Sequence, residues 1–263
     1  MPLRRKGFSL VELLVVVGII ALLLSILTPA LTRAKWLTRR AVCASRLHNI
    51  GRGVGSYAAE NRDIVFFCRR SGGGFEGRVQ VCLDYQVENS SDPYEKTDWV
   101  KAAAGHGLKD AAFECPDRPG CYRDDKDSAG GEWIIYQKCL GYQYFGGIKN
   151  WTNPQGTFKS RSPVGLTSGS SRWALAADCS MKIDLVWGGG RPSAYEFEPP
   201  HRLGNPWPAG GNAVYCDGSA SWSDFEKMYF FHSWNPGARF NYWYQEDTGD
   251  IPSDKLLLLR AVP

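Results

Sequence analysis

Several signatures of catalysis are missing from this 263-residue chain. It has no Gly-x-Ser-x-Gly, no P-loop and no His-Glu-x-x-His, so it offers no nucleophile elbow, phosphate cradle or zinc-protease helix, and no enzyme is expected. No Cys-x-x-Cys pair occurs, which argues against a zinc site built on neighbouring cysteines. No segment has the acidic spacing of an EF-hand loop, and no internal repeat is visible. Charge of one sign is also lacking. Thirty-one basic and 27 acidic residues leave a net charge of +4, too small to imply a nucleic-acid partner. Methionine is scarce (3), whereas Gly (29), Tyr (12) and Trp (10) are plentiful. That balance suits a loop-rich, β-containing extracellular domain better than a helical one.

What the chain does have is one long apolar run, Phe8 to Leu27, interrupted by a single carboxylate, Glu12. About 20 such residues are enough to cross a bilayer as a helix. An ionised Glu near the start of that helix costs roughly 2.5–3.5 kcal/mol or more unless something pairs with it. A simple anchor has no reason to keep it. Arg4, Arg5 and Lys6 flank one end and Arg33, Lys35, Arg39 and Arg40 the other, so charge alone does not set the orientation.

Arg4-Arg5-Lys6-Gly7 followed by Phe8-Ser9-Leu10-Val11-Glu12-Leu13 resembles the leader and start of type IV pilins and type II secretion pseudopilins. The resemblance implies that a prepilin peptidase cuts after Gly7, that the new N-terminal Phe8 is methylated, and that Glu12 is the assembly glutamate. Pro29 falls where that family often has a helix-kinking proline. Cleavage would free an amine on Phe8, and the Glu12 carboxylate of one subunit would pair with it on a neighbour, which sets axial register. The same resemblance puts the N-terminus in the cytoplasm. Two blander readings stand beside it. One is a secretory signal peptide cut near Thr28-Pro29-Ala30, although a carboxylate early in its core is unusual. The other is a plain single-pass anchor.

Residues 30–62 read as a continuation of the helix. Trp36, Cys43, Leu47, Ile50, Val54 and Tyr57 form one stripe at helical period, and Arg33, Arg39, Arg46 and Arg52 lie on the other face. The basic face reads as solvated or turned to lipid head groups, with DNA as the lesser alternative. Gly51, Gly53 and Gly55 each cost about 1 kcal/mol in a helix, which predicts loose last turns. Beyond residue 62, β-type runs occur at residues 64–68, 79–83, 133–136, 173–177, 182–187 and 212–216. Asn212–Cys216 and Ser219–Trp222 read as a hairpin with Asp217-Gly218 as a two-residue turn.

The eight cysteines are even in number and all follow the apolar run, so oxidation outside the cytoplasm is expected. Cys43 lies on the apolar stripe and would face the head, where Cys115 is its expected disulfide partner. Such a bond would close a loop of about 70 residues and stabilise by roughly 4 kcal/mol. Cys179 and Cys216 form a second candidate pair, because each ends a core-like strand beside an Asp.

A second resemblance spans the rest of the chain. Cys43-x-x-Arg46-Leu47-x-x-Ile50-Gly51, Phe113-Glu114-Cys115-Pro116-Asp117, Gly141-Tyr142-x-Tyr144, Leu175-Ala176-Ala177-Asp178, and His201 through Asp217-Gly218-Ser219 are similar to a large bacterial group. These are the prepilin-type proteins with a C-terminal His-x9-Asp-Gly motif found in Planctomycetes and Verrucomicrobia. Here 15 residues separate His201 from Asp217, with Asn205-Pro206-Trp207-Pro208 as the extra length, so a contact between His201 and the Asp217 turn is in doubt. His201 then has a plain alternative role, satisfying a loop carbonyl. Major pseudopilins carry calcium in this part of the fold, which offers calcium as a cofactor, with Asp178 and Asp217 as oxygen ligands.

The expectation is an α+β, pilin-like protein with three parts. Residues 1–7 form the leader. Residues 8–62 form a long helix, transmembrane over 8–28 and amphipathic over 30–62. Residues 63–263 form an extracytoplasmic head on antiparallel strands. It would be a single-pass inner-membrane protein with a periplasmic head, later extracted into a pseudopilus or surface fibre. Its partners would be prepilin peptidase, other pilin or pseudopilin subunits, the inner-membrane assembly platform and lipid. The rival is a monomeric, membrane-tethered carbohydrate-binding module with Trp207, Trp222, Trp234, Trp243 and Tyr244 as an aromatic platform, against core packing as the ordinary use of such residues.

Overall fold

The computed structural model describes residues 9–70, 78–85, 97–129, 132–187 and 199–263. Its elements in chain order are α1 (Leu10–Glu60), β1 (Arg69–Arg70), β2 (Arg78–Val79), β3 (Cys82–Asp84), α2 (Trp99–Gly105), α3 (Asp110–Phe113), β4 (Arg123–Ala129), β5 (Glu132–Cys139), β6 (Tyr142–Tyr144), β7 (Asn150–Asn153) and β8 (Gly156–Lys159). They continue with β9 (Ala174–Asp178), β10 (Ser180–Ile183), β11 (Gly210–Tyr215), β12 (Ala220–Asp224), β13 (Arg239–Tyr242) and α4 (Ser253–Leu258). The chain divides into two compact units, Met1–Arg39 and Arg40–Pro263.

The first unit is helix. Its apolar residues from Leu10 to Leu31 are exposed, and the segment is long and apolar enough to cross a membrane. Pro29 lies inside the helix. It has no N–H, so one carbonyl of the preceding turn loses its helical donor. Thr28 Oγ1 donates to the Leu24 carbonyl (2.8 Å) and Thr32 Oγ1 to the Thr28 carbonyl (3.0 Å).

The second unit is a mixed α+β head with antiparallel strand pairing, consistent with a pilin-like fold. Its central sheet has the order β12-β11-β9-β6, beside a three-stranded sheet β3-β5-β4 and the pairs β1-β2, β7-β8 and β10-β13. Strands β6, β9 and β11 are buried along their whole length. Strands covered on both faces read as continuous apolar or small-residue runs instead of alternating ones, and Ala174-Leu175-Ala176-Ala177 is such a run.

The C-terminal half of α1 lies against this sheet. Cys43, Leu47, Ile50 and Val54 are buried, as the stripe predicts. The helix does not loosen at its glycines but continues to Glu60. Gly51 and Gly53 are points of close approach. A Cβ on Gly51 would stand 2.9 Å from Val214 Cγ2, and one on Gly53 would stand 2.4 Å from Leu108 Cγ. Arg46 does not stay on a solvated face, because its guanidinium donates to the Glu114 carbonyl. Short helix α2 is started by Asp98, whose Oδ1 accepts from Lys101 N (2.7 Å).

Residues 64–68 form no strand beyond the single bridge of Ile64 to Gly165. Val65 to Cys68 are buried, with Val65 N donating to the Val164 carbonyl and Cys68 N to the Gly146 carbonyl. The hairpin of β11 and β12 exists, but its turn differs from the expected one. Gly218 N donates to the Tyr215 carbonyl and Tyr215 N to the Ser219 carbonyl. Of the turn residues only Gly218 has positive φ, +81°. Cys216-Asp217 therefore occupy the centre of the turn, and Gly218 supplies the left-handed residue of a longer loop.

The expected aromatic platform is dispersed. Trp243 is 1% exposed and packs on Phe145, Trp151 and Phe231, with ring centroids 4.4–6.1 Å away. Trp207 and Tyr244 pack on the main core and Trp234 on a second small cluster. Trp222 lies under the Arg40 guanidinium, 3.9 Å from the ring centroid. These rings serve packing, and the carbohydrate-platform reading loses its geometry.

Candidate functional site

Among the described residues, two places stand out for polar chemistry in apolar surroundings. The first is the start of α1. Gly7 and Phe8, the expected cleavage and methylation residues, lie outside the described residues. Glu12 is exposed, and its Oε2 accepts from Ser9 N (2.9 Å) while Ser9 Oγ accepts from Val11 N (3.2 Å). Glu12 takes the N–H of the N-cap Ser9 as in a capping box, while the Ser9 hydroxyl caps the amide two residues on. The Ser-x-x-Glu spacing announces it in the sequence. Glu12 thus closes the first turn of its own helix.

The second is a buried polar cluster in the head, assembled from four separate segments. Cys43 comes from α1. Cys115 and Asp117 come from the bend after α3, Asp178 from the end of β9, and His201 from the loop before β11. His201 is 1% exposed, and Cys43, Cys115 and Asp178 are equally inaccessible. His201 Nδ1 stands 3.0 Å from Asp117 Oδ2, and Nε2 stands 2.9 Å from Asp178 Oδ2. Burial works against a charge on this ring, but the Asp178 and Asp117 carboxylates outweigh it and push the imidazole up to about 10.

Local geometry fixes each group. His201 has φ +58°, a left-handed conformation uncommon in a side-chain-bearing residue. Asp117 Oδ2 holds it there by also accepting from His201 N (3.1 Å). Asp178 Oδ2 accepts from both Asn212 N (2.6 Å) and Asn212 Nδ2 (2.8 Å). Asp178 Oδ1 is buried and accepts no hydrogen bond. Gly141 lets β6 approach the Cys115 segment, since a Cβ there would stand 2.5 Å from the Phe113 carbonyl oxygen and 2.7 Å from Cys115 N. Cys43 Sγ and Cys115 Sγ are 3.3 Å apart. Hydrogen bonding to Cys115, then burial, raises the Cys43 thiol far above its ordinary range. The Trp222 ring meets His201 edge to face at 5.6 Å.

The expected pair of Cys43 and Cys115 is brought into contact, as thiols. Cys179 is placed in the second cluster with Cys82 and Cys139. Cys216 is half-buried in the hairpin turn, with its N donating to the Trp173 carbonyl. His201 does not reach Asp217. The extra residues loop out and return through a bridge of Arg202 to Pro208, and Ala209 N donates back to the His201 carbonyl (3.1 Å). His201 is therefore kept at the start of β11, while Asp217 sits beyond its other end. Asp178 and Asp217 are not brought together either. Asp178 meets Asn212, five residues and about 16 Å of strand from Asp217. Asp217 is spent on its own turn, accepting from Ser219 N (2.8 Å) and Ser219 Oγ (2.6 Å). The two carboxylates expected to share a calcium ion thus lie in different parts of the sheet. Asp117 and Asn212 complete the cluster, and nothing in sequence spacing links them to His201.

Residues 2–28 match the prokaryotic N-terminal methylation motif. Together with the long apolar helix this gives the chain the start of a type IV pilin-like prepilin, a structural class of protein. No curated protein and no solved structure matches the chain.

Proposed function

We propose that the chain is a structural pilin-like subunit, cleaved between Gly7 and Phe8, methylated on Phe8, and assembled into a type II secretion pseudopilus or a type IV pilus-like fibre. The methylation motif over residues 2–28, with Glu12 as the one carboxylate in the apolar run, carries this reading. Before assembly the subunit waits in the bacterial inner membrane with its N-terminus in the cytoplasm and its head in the periplasm. Prepilin peptidase, the assembly platform and further subunits are its partners, and lipid surrounds the apolar first half of α1. At docking, Glu12 exchanges the Ser9 N–H for the Phe8 amine of a neighbour. Breaking one side of such a buried pair costs about 3–5 kcal/mol.

Two variants separate assembly from helix capping. A glutamine three residues after the N-cap can still close a capping box but carries no charge. Glu12→Gln should therefore keep the helix and abolish multimers, as Glu12→Ala should. The measurement is fractionation of membrane pool against sheared fibre or cross-linked multimer, with mass spectrometry of the N-terminus. A chain starting at methylated Phe8 is expected. Wild-type multimer yield from Glu12→Gln, or an intact Met1, would refute the proposal.

A further inference from the structure

The buried cluster offers four ligand atoms of three chemical kinds around one point. Cys43 Sγ, Cys115 Sγ, a carboxylate oxygen of Asp178 and a ring nitrogen of His201 all lie within 4.8 Å of one another, and all four residues are buried. We propose that these residues form a structural zinc site that ties the second half of α1 to the head. Nothing in this proposal depends on cleavage or fibre assembly.

The donor set selects the metal. Two thiolates, one imidazole and one carboxylate suit a borderline-soft tetrahedral ion, whereas calcium and magnesium want oxygens alone. Zinc–ligand bonds of about 2.0–2.3 Å place tetrahedral ligand atoms roughly 3.3–3.8 Å apart. Two zinc-bound sulfurs stand about 3.8 Å apart, so the Sγ–Sγ separation of 3.3 Å has to widen by about half an ångström. It is far from the bonded sulfur distance of about 2.05 Å. His201 Nε2 already stands 2.9 Å from Oδ2 of the Asp178 carboxylate, which leaves Oδ1 as the oxygen offered to the ion.

The surrounding shell is the second observation. A metal-bound histidine ordinarily gives its other N–H to a carboxylate, which fixes the ring, and a ligating carboxylate is itself hydrogen-bonded. Asp117 stands at His201 Nδ1 (3.0 Å), and Asn212 holds Asp178 through two bonds to Oδ2. Asp178 Oδ1 is left buried without a hydrogen bond, which is costly for a polar group and more so for a carboxylate. A cation supplies what that oxygen lacks. On binding, each thiol releases its proton and His201 keeps only the Nδ1 proton, donated to Asp117.

The test uses the full chain in detergent, purified without chelator and with free thiols blocked at lysis. Elemental analysis should find about one zinc per chain. Zinc should fall at least tenfold in Cys115→Ser and in His201→Gln and stay unchanged in Asp217→Asn, whose side chain lies outside the cluster. Replacement by cobalt should give thiolate-to-metal charge-transfer absorption. This readout needs only the wild-type protein and decides the matter if the variants fail to fold. Metal-free protein whose Cys43 and Cys115 peptides are recovered disulfide-linked would overturn the proposal, because the same two sulfurs cannot do both. Zinc that persists in both variants would overturn it equally.

Discussion

Gly53 and Gly55 stand two residues apart in the same helix and should respond to alanine with opposite signs. Replacing glycine by alanine in a helix interior contributes about 1 kcal/mol of stability through propensity alone. At Gly55 nothing lies within 4 Å of the added Cβ, so that gain should appear undiminished. At Gly53 the new Cβ would meet Leu108 Cγ at 2.4 Å and both of its Cδ atoms at 2.7 Å. Leu108 is 2% exposed and cannot swing into solvent. Overpacking of this kind costs typically 1–3 kcal/mol. The propensity gain is common to both variants, so their difference isolates the steric part, about 1–3 kcal/mol. For a head of this size each kcal/mol moves the melting temperature by roughly 2–4 °C. Thermal unfolding of the full chain in detergent, followed by tryptophan fluorescence, should therefore show Gly55→Ala melting about 2–4 °C above wild type and Gly53→Ala clearly below Gly55→Ala. Equal gains from the two would mean that Leu108 does not press on α1, and the account of these glycines as packing positions would fall.

Other consequences can be read in the same preparation. His232 is fully buried, its Nδ1 accepting from Thr152 N (3.0 Å) and its Nε2 facing the Arg78 carbonyl (3.1 Å), and burial pushes it down to about 4 against the opposing pull of that carbonyl. The unfolded chain binds the proton first, so stability should fall as pH drops from 6.5 towards 4, by about 3 kcal/mol; denaturant titrations of wild type against His232→Gln should show the variant with the flatter pH dependence. Trp243→Ala should destabilise by about 3–5 kcal/mol, while Trp222→Ala, on a half-exposed ring, should change the denaturation midpoint far less.

The helix and its buried stripe were legible because a period of 3.6 is a property of neighbouring residues. Cys43, Leu47, Ile50 and Val54 needed only their spacing to be placed inside. The strands were less legible. Residues 65–68 carry an apolar run, and a run reports burial, not pairing. The N–H groups of Val65 and Cys68 found carbonyls in the loops at Val164 and Gly146 instead of a ladder. The hairpin was legible and its turn was not, because Asp-Gly fits both a two-residue turn and the longer loop that Gly218 closes. The glycines of α1 misled for a plain reason. Propensity measures what a glycine costs the helix, and says nothing of the partner that needs the space.

The buried cluster lay beyond any reading of spacing, since Cys43, Cys115, Asp178 and His201 follow one another at intervals of 72, 63 and 23 residues and meet only in the folded head. What sequence could supply was the oddity of each group in its place. A cysteine sat on an apolar stripe, and an aspartate ended the Ala-Leu-Ala-Ala strand. Buried polar groups are costly unless paired, so an isolated one in an apolar element predicts a partner without naming it. The same logic governs Glu12, one carboxylate in an apolar run. In the head the partners are within the chain: Asp117 and Asp178 take the two ring nitrogens of His201, and Asn212 takes Asp178. At the start of α1 the one partner among the described residues is the Ser9 N–H, a single bond to a carboxylate set in an apolar run. That imbalance between charge and pairing is what a neighbouring subunit's amine would correct.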